Sequence, residues 1–219
     1  MPNPLLEARG VFRNKPSGGA LLDGVRLVID AGESVAVSGP SGAGKTLLLR
    51  ALALLDPIDG GDIHWRGQPI SCKATPGFRA QVIYLHQRPS LFEGSVEENL
   101  RVPFTLAEHR QRTFERDRVV GLLSQFGRDA DFLAKRDRDL SGGETQIVAL
   151  VRALQLEPTI LLCDEATSAL DRDMVLVAER LVAEWRTAHR AAVWVSHDAA
   201  QTARVAQRVI LIDHGRIRE

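Results

Sequence analysis

The segment GPSGAGKT, Gly39 to Thr46, sets a lysine and a threonine directly behind a glycine-rich run. Gly39, Pro40, Ser41, Gly42, Ala43 and Gly44 make a loop whose backbone N–H groups can converge on phosphate oxygens, and a helix N-terminus behind it adds partial positive charge. Lys45 would supply a point charge to β and γ phosphates, and the Thr46 hydroxyl could ligate Mg2+. The string fits G-x-x-x-x-G-K-[ST] and lies between the apolar Val35 to Ser38 and a helical KTLLLRALALLD, the context the motif requires. A plain glycine-rich turn would not call for a Lys-Thr pair at that spacing.

A second feature, an acidic pair, ends the apolar run TILLCDE, Thr159 to Glu165. Strand alternation sends two adjacent side chains to different places, so Asp164 could hold Mg2+ through water while Glu165 polarises an attacking water as general base. Alone, an acidic pair after a strand reads as a helix cap; the phosphate loop upstream favours the chemical reading.

In LSGGE, Leu140 to Glu144, Ser141 and Glu144 form a capping box, and Ile147, Leu150, Val151 and Leu154 give the helix behind it an apolar stripe. A helix start does not explain Gly142 and Gly143, each costing about 1 kcal/mol in a helix interior. They make sense where backbone must closely approach a ligand, and uncapped amides beside a serine hydroxyl are a second phosphate-binding surface.

The elements that must position these residues are legible in outline. From Leu5 to about Ile70, short apolar runs such as VRLVI are separated by GG, AG and DGG, which suits strands and turns. KTLLLRALALLD reads as a buried helix stopped by Asp56-Pro57. From Ser95 to about Phe132 the texture becomes charged helix, with capping boxes at Ser95/Glu98 and Thr105/Glu108 and an apolar stripe of Val119, Leu122, Leu123 and Phe126. The last third alternates TILLC, AAVWV and RVILI with helical segments, which predicts a mostly parallel α/β sheet with ligands at the carboxyl ends of its strands.

Composition narrows the partners. The 219 residues carry 28 Lys plus Arg and 28 Asp plus Glu, so net charge draws the chain neither to nucleic acid nor to an anionic membrane. The longest apolar stretches fall short of the roughly 18–20 residues that span a bilayer, and MPNPLLEARG has no basic region followed by an apolar run. A cytoplasmic place is expected. Cys72 and Cys163 stand far apart and outside any CxxC pattern, which predicts two reduced thiols.

GPSGAGKT, Gln87, LSGGETQ, ILLCDE, SALD and His197, in that order and spacing, resemble the ATP-binding subunits of ABC transporters over nearly the whole chain. The resemblance implies an α/β fold: a P-loop ABC ATPase core with an N-terminal antiparallel β region and an inserted helical subdomain at roughly 88–155, within one domain of residues 1–219. It implies ATP and Mg2+ as cofactors. It also implies a head-to-tail dimer in which each ATP lies between the P-loop of one copy and Ser141, Gly142 and Gly143 of the other. Gln87 would sense the γ-phosphate and Mg2+, Asp171 would communicate across the dimer, and His197 would contact the γ-phosphate. The partner implied is an integral membrane permease, with this chain peripheral on the inner face of the membrane.

Two departures stand out. Ile147 occupies a place where many members carry arginine, which puts a helix-surface contact in doubt. Asn14 stands where an aromatic usually stacks on adenine, leaving Phe12 open between that role and core packing. RPSLFEGSVEENLRVPF after Gln87 looks more like exporter-type than importer-type subunits, and the chain most resembles small subunits of the bacterial iron-export type. Cargo does not follow, because cargo contacts belong to the permease. A soluble ABC ATPase acting on ribosomes or DNA, and a small-molecule P-loop kinase, are the competing readings. The first lacks a basic, aromatic-interleaved face here, and the second would not explain LSGGE.

Overall fold

The computed structural model describes residues 4–16 and 18–218. In chain order the elements are β1 (Pro4–Asn14), β2 (Ala20–Asp30), β3 (Ser34–Ser38), α1 (Lys45–Leu52), β4 (Gly60–Trp65), β5 (Gln68–Pro69), α2 (Thr75–Gln81) and β6 (Val82–Leu85). There follow α3 (Val96–Arg101), α4 (Arg116–Gln125), α5 (Gly142–Leu154), β7 (Ile160–Asp164), α6 (Arg172–Trp185), β8 (Ala191–Val195), α7 (Ala199–Val205), β9 (Arg208–Asp213) and β10 (Arg216–Arg218). They fall into two compact units, one of Met1–Tyr84, Thr159–Asp164 and Arg186–Glu219, the other of Leu85–Pro158 and Glu165–Trp185.

The first unit holds two sheets, one of four strands in the order β2-β1-β4-β5 and one of six in the order β10-β9-β3-β8-β7-β6. The four-stranded sheet pairs antiparallel throughout. In the other, β3 runs parallel to β8 and β9, β7 runs parallel to β8, and β10 closes the edge antiparallel to β9. Every residue of β7 and β8 is buried, as strands enclosed on both faces must be, which is why ILLC and AAVWV read as unbroken apolar runs. Leu48, Leu49 and Leu52 of α1 join Val35, Val37, Ile160, Leu162 and Val193 in the core. This core fixes the carboxyl ends of β3, β7 and β8, at or just past which Gly39, Asp164 and His197 stand.

Helix α1 ends earlier than the sequence predicts, at Leu52 rather than at Asp56-Pro57. Leu54 takes a left-handed φ of 55°, its N–H bonds to Ala51 O at 2.9 Å, and that of Leu55 bonds to Arg50 O at 2.9 Å. This is a Schellman ending without the glycine that normally announces it.

In the second unit the Ser95/Glu98 box forms as expected, with Ser95 N–H donating to Glu98 Oε2 at 2.6 Å and Glu98 N–H to Ser95 Oγ at 3.1 Å. The Thr105/Glu108 box does not. Thr105 lies inside a short 3-10 turn and its hydroxyl donates back to Val102 O at 2.8 Å, so the next turn, Ala107–His109, starts with no side-chain cap. The α4 stripe buries Val119, Leu123 and Phe126 and half-buries Leu122. Helix α5 is enclosed far beyond a stripe: from Gln146 to Leu154 every residue but Arg152 is buried. Ile147, 2% exposed, therefore makes no surface contact at all.

The loop leading into α3 hangs on Asn99, which is 1% exposed. Its Nδ2 donates to Phe92 O at 2.9 Å and Ser95 O at 3.0 Å, while its Oδ1 accepts from Phe92 N–H at 2.8 Å. Asn99→Ala strands those backbone groups, and we expect a loss on the order of 2 kcal/mol in urea unfolding; a change within a few tenths would show the loop to be held otherwise.

Candidate functional site

The phosphate-loop candidates lie in the first unit, between the end of β3 and the start of α1. Gly39 has φ 151°, and a Cβ there would meet Ile212 O at 2.0 Å, so only glycine fits where β3 leaves the sheet. Gly44, at the N-cap of α1, offers no side-chain cap, which leaves the first-turn amides of the helix available to a ligand. Ser41 and Gly42 are exposed and Ala43 is buried. Lys45 is 7% exposed, and its Nζ donates to Gly39 O at 2.7 Å and Pro40 O at 2.9 Å. Among the described residues no carboxylate pairs with it. A buried ammonium whose only partners are neutral carbonyls lacks a counter-charge, and an anion over the loop would supply it.

Asp164, the last residue of β7, is 4% exposed. Its Oδ1 accepts from Thr46 Oγ1 at 3.2 Å and its Oδ2 from the Tyr84 hydroxyl at 2.6 Å. Burial first, then the bond and charge of Asp164, push the Tyr84 hydroxyl pKa well above its ordinary value. Burial next to Asp164 does the same to the Cys163 thiol, and Cys72 is an exposed free thiol. His197 stands exposed just past β8, where Asp198 caps α7 by accepting from Ala200 N–H at 2.8 Å. Phe12 is not core: it is 41% exposed, with its ring across Gly24.

The remaining candidates lie in the second unit. Glu165 has a left-handed φ of 49°, a conformation costing about 1–2 kcal/mol in a residue with a Cβ. Its Oε2 accepts from Gln87 Nε2 at 2.7 Å. Gln146, 3% exposed, joins two loops: its Nε2 donates to Gln87 O at 2.8 Å and Ser168 Oγ at 3.2 Å, and its Oε1 accepts from Ala169 N–H at 2.9 Å. Ser141 caps α5 in the expected box, with Glu144 N–H donating to Ser141 Oγ at 3.1 Å and Ser141 N–H to Glu144 Oε2 at 2.9 Å. Burial raises the Glu144 pKa, but hydrogen bonds from Lys135 and Ser141 and the charges of Lys135 and Arg128 outweigh it and hold the carboxyl below its usual range.

The α5 glycines divide. Gly142 meets only the Ala169 side chain, at an ordinary 3.7 Å, whereas a Cβ on Gly143 would lie 2.8 Å from Ala169 O. Gly143 therefore has a packing reason that local sequence does not reveal, while at Gly142 a Cβ would fit and packing gives no reason for glycine. Asp171 accepts from Met174 N–H at 2.9 Å as the cap of α6.

Two side chains of evident weight carried no role in the sequence reading. Gln146 was in view inside LSGGETQ, and a glutamine amid the apolar stripe of α5 was the signal. Tyr84 had only its place in a short apolar run before Gln87.

The family model described as ABC transporter matches residues 22–168. The chain is 34% identical to the phosphate import ATP-binding protein PstB 2 of Natronomonas pharaonis, covering 92% of this chain and 75% of that protein. It is 38% identical to the sulfate/thiosulfate import ATP-binding protein CysA of Bradyrhizobium diazoefficiens, covering 91% of this chain but only 59% of that one. It is 32% identical to the probable iron export ATP-binding protein FetA of Escherichia coli (strain K12), covering 97% and 93%. Among solved structures, an ATP-binding cassette dimer in a post-hydrolysis state bound to ADP and Pi matches in fold, with TM-score 0.88 and 24% identity over 98% of this chain and 97% of that one. A bacterial ABC exporter with ATP bound matches with TM-score 0.85 and 27% identity over 99% of this chain and 38% of that one. The chain belongs to the ABC transporter family. Within it, it is an ATP-hydrolysing domain with ATP and Mg2+ as cofactors.

The residues present fit those cofactors. The loop offers uncapped amides and an ammonium without a counter-charge to phosphates. Thr46 and Asp164 offer two oxygen donors, the sparse set that Mg2+ takes when phosphates and water complete its shell.

Because Gln146 holds the backbone around Gln87 and Ala169, Gln146→Ala should lower ATP turnover at least tenfold. Nucleotide affinity at the P-loop should stay within about twofold, as read by phosphate release against equilibrium binding; unchanged turnover would show those loops to be fixed without it.

Proposed function

We propose that the chain is the ATP-hydrolysing subunit of a transporter whose membrane-spanning part is a separate polypeptide. The observation that carries this reading is the buried Lys45 ammonium, bonded among the described residues only to carbonyls of its own loop and followed by Thr46 in contact with Asp164. Gly39 to Gly44 with Lys45 hold the phosphates of ATP, and Thr46, Asp164 and Gln87 hold Mg2+, which neutralises charge on the transferred phosphoryl group when bound. Glu165 takes the proton of the attacking water, and His197 steadies the γ-phosphate. The Gln87 amide donating to Glu165 Oε2 at 2.7 Å supports this, since it orients that carboxylate.

Residues 1–219 act as one ATP-binding domain with a helical subdomain at roughly 88–155. Two copies meet head to tail, Ser141, Gly142 and Gly143 of each completing the phosphate site of the other, with Asp171 communicating between them. Gly142, a glycine for which packing gives no reason, supports this. The partner is an integral membrane permease, and the chain sits on the cytoplasmic face of the membrane. Among the described residues no helix is long and apolar enough to cross a membrane, and the relatives matched are ATP-binding proteins of import or export systems. Export of iron is the cargo reading we favour, on the exporter-like segment after Gln87 and on the nearly end-to-end match to the probable iron export ATP-binding protein FetA of Escherichia coli.

Glu165→Gln should keep ATP affinity, abolish turnover and accumulate an ATP-bound dimer in size-exclusion chromatography; near-normal turnover would remove Glu165 as the base. Ser141→Ala and Gly142→Asp should impair hydrolysis while sparing ATP binding by the monomer, and equal loss of both would count against a site shared between copies.

A further inference from the structure

We infer that Tyr84 is a positioning residue for the Mg2+ site: its hydroxyl locks the Asp164 carboxylate so that one oxygen is held back and the other is turned to the metal. The inference rests on the proposal that Asp164 and Thr46 hold Mg2+. A carboxylate ligand can rotate, and each rotamer offers the metal a different oxygen at a different angle, so affinity depends on what fixes it. Here both oxygens have distinct partners. Oδ2 accepts from the Tyr84 hydroxyl at 2.6 Å, a short charge-assisted bond, whereas Oδ1 faces Thr46 Oγ1 at the longer 3.2 Å. Thr46 is the other candidate ligand, so the oxygen left more loosely held is the one on its side.

Tyr84 is itself held. The Arg50 guanidinium acts on its hydroxyl as a nearby positive charge, and Arg50 is fixed by a bidentate pair to Asp56, at 2.9 Å from Nε and 2.7 Å from Nη2. Arg50 belongs to α1, the helix that begins with Lys45 and Thr46. One helix thus supplies Thr46 to one side of the carboxylate and, through Arg50, braces the tyrosine on the other. The buried oxygen turned away from the metal still needs a donor, and the Tyr84 hydroxyl supplies it while fixing the rotation of the carboxylate.

The sequence contains a single tyrosine, so the test can be made on the unaltered chain. Protein grown with 3-fluorotyrosine carries its only fluorine label at Tyr84. Its 19F resonance should shift on adding Mg2+ to protein loaded with a non-hydrolysable ATP analogue, and should stay in place when the analogue is added with EDTA. A resonance indifferent to Mg2+ would overturn the inference. In parallel, Mn2+ binding to the analogue-loaded protein is followed by electron paramagnetic resonance. Tyr84→Phe should weaken Mn2+ by about tenfold while binding of the analogue in EDTA is unchanged. Asp164→Asn distinguishes failure of the positioning role from failure of the metal site. If it weakens Mn2+ and Tyr84→Phe does not, the positioning role fails and the metal site stands; if neither weakens Mn2+, the metal site fails and takes the positioning role with it.

Discussion

A carboxylate buried at the end of a parallel strand has to be satisfied by what the neighbouring elements bring to it. Asp164 is 4% exposed, and Thr46 from α1 and Tyr84 from β6 supply its two bonds. For those partners to arrive, β3 must deliver the glycine loop and α1 at the same edge, which the parallel pairing of β3, β8 and β7 accomplishes. The core packed between α1 and the sheet holds that edge in place. Buried polar groups are costly unless paired, so the same arrangement that readies the site for a cation also makes the carboxylate tolerable inside the first unit.

The second unit is organised on a comparable economy of buried polar groups. Gln146 places one amide between the Gln87 and Ser168-Ala169 loops, and Asn99 places another inside the turn before α3. Both sit where an apolar residue would have packed as well but would have left backbone groups without partners. Glu144 serves two ends at once, capping α5 through Ser141 and pairing with Lys135 at 2.8 Å. The helix that presents Ser141 and Gly142 is thereby fixed by its own first turn.

Features carried by residue type at fixed spacing were legible in the sequence, and those carried by approach in space were not. GPSGAGKT, the Ser95 and Ser141 capping boxes and the apolar strands β7, β8 and β9 all depend on neighbours within a few positions, and each appears where expected. The end of α1 was misplaced because Leu54 adopts a left-handed conformation with no glycine to mark it. The Thr105 box failed because its hydroxyl found a carbonyl in its own turn first. Gly143 was assigned to a ligand alone, although the Ala169 carbonyl is what excludes a side chain. Tyr84 stands 80 positions from the carboxylate it grips, a separation that no local pattern reveals.

Under the proposed function, hydrolysis occurs at a site to which one copy gives its phosphate loop and another its Ser141-Gly142 surface. Mixing two inactive variants tests it directly. Lys45→Ala destroys the loop, Gly142→Asp blocks the second surface, and a mixed dimer contains one site in which both halves are intact. Phosphate release from the equimolar mixture should recover to a clear fraction of the unaltered protein's rate while each variant alone stays inactive. A mixture as inactive as its components would contradict the shared site.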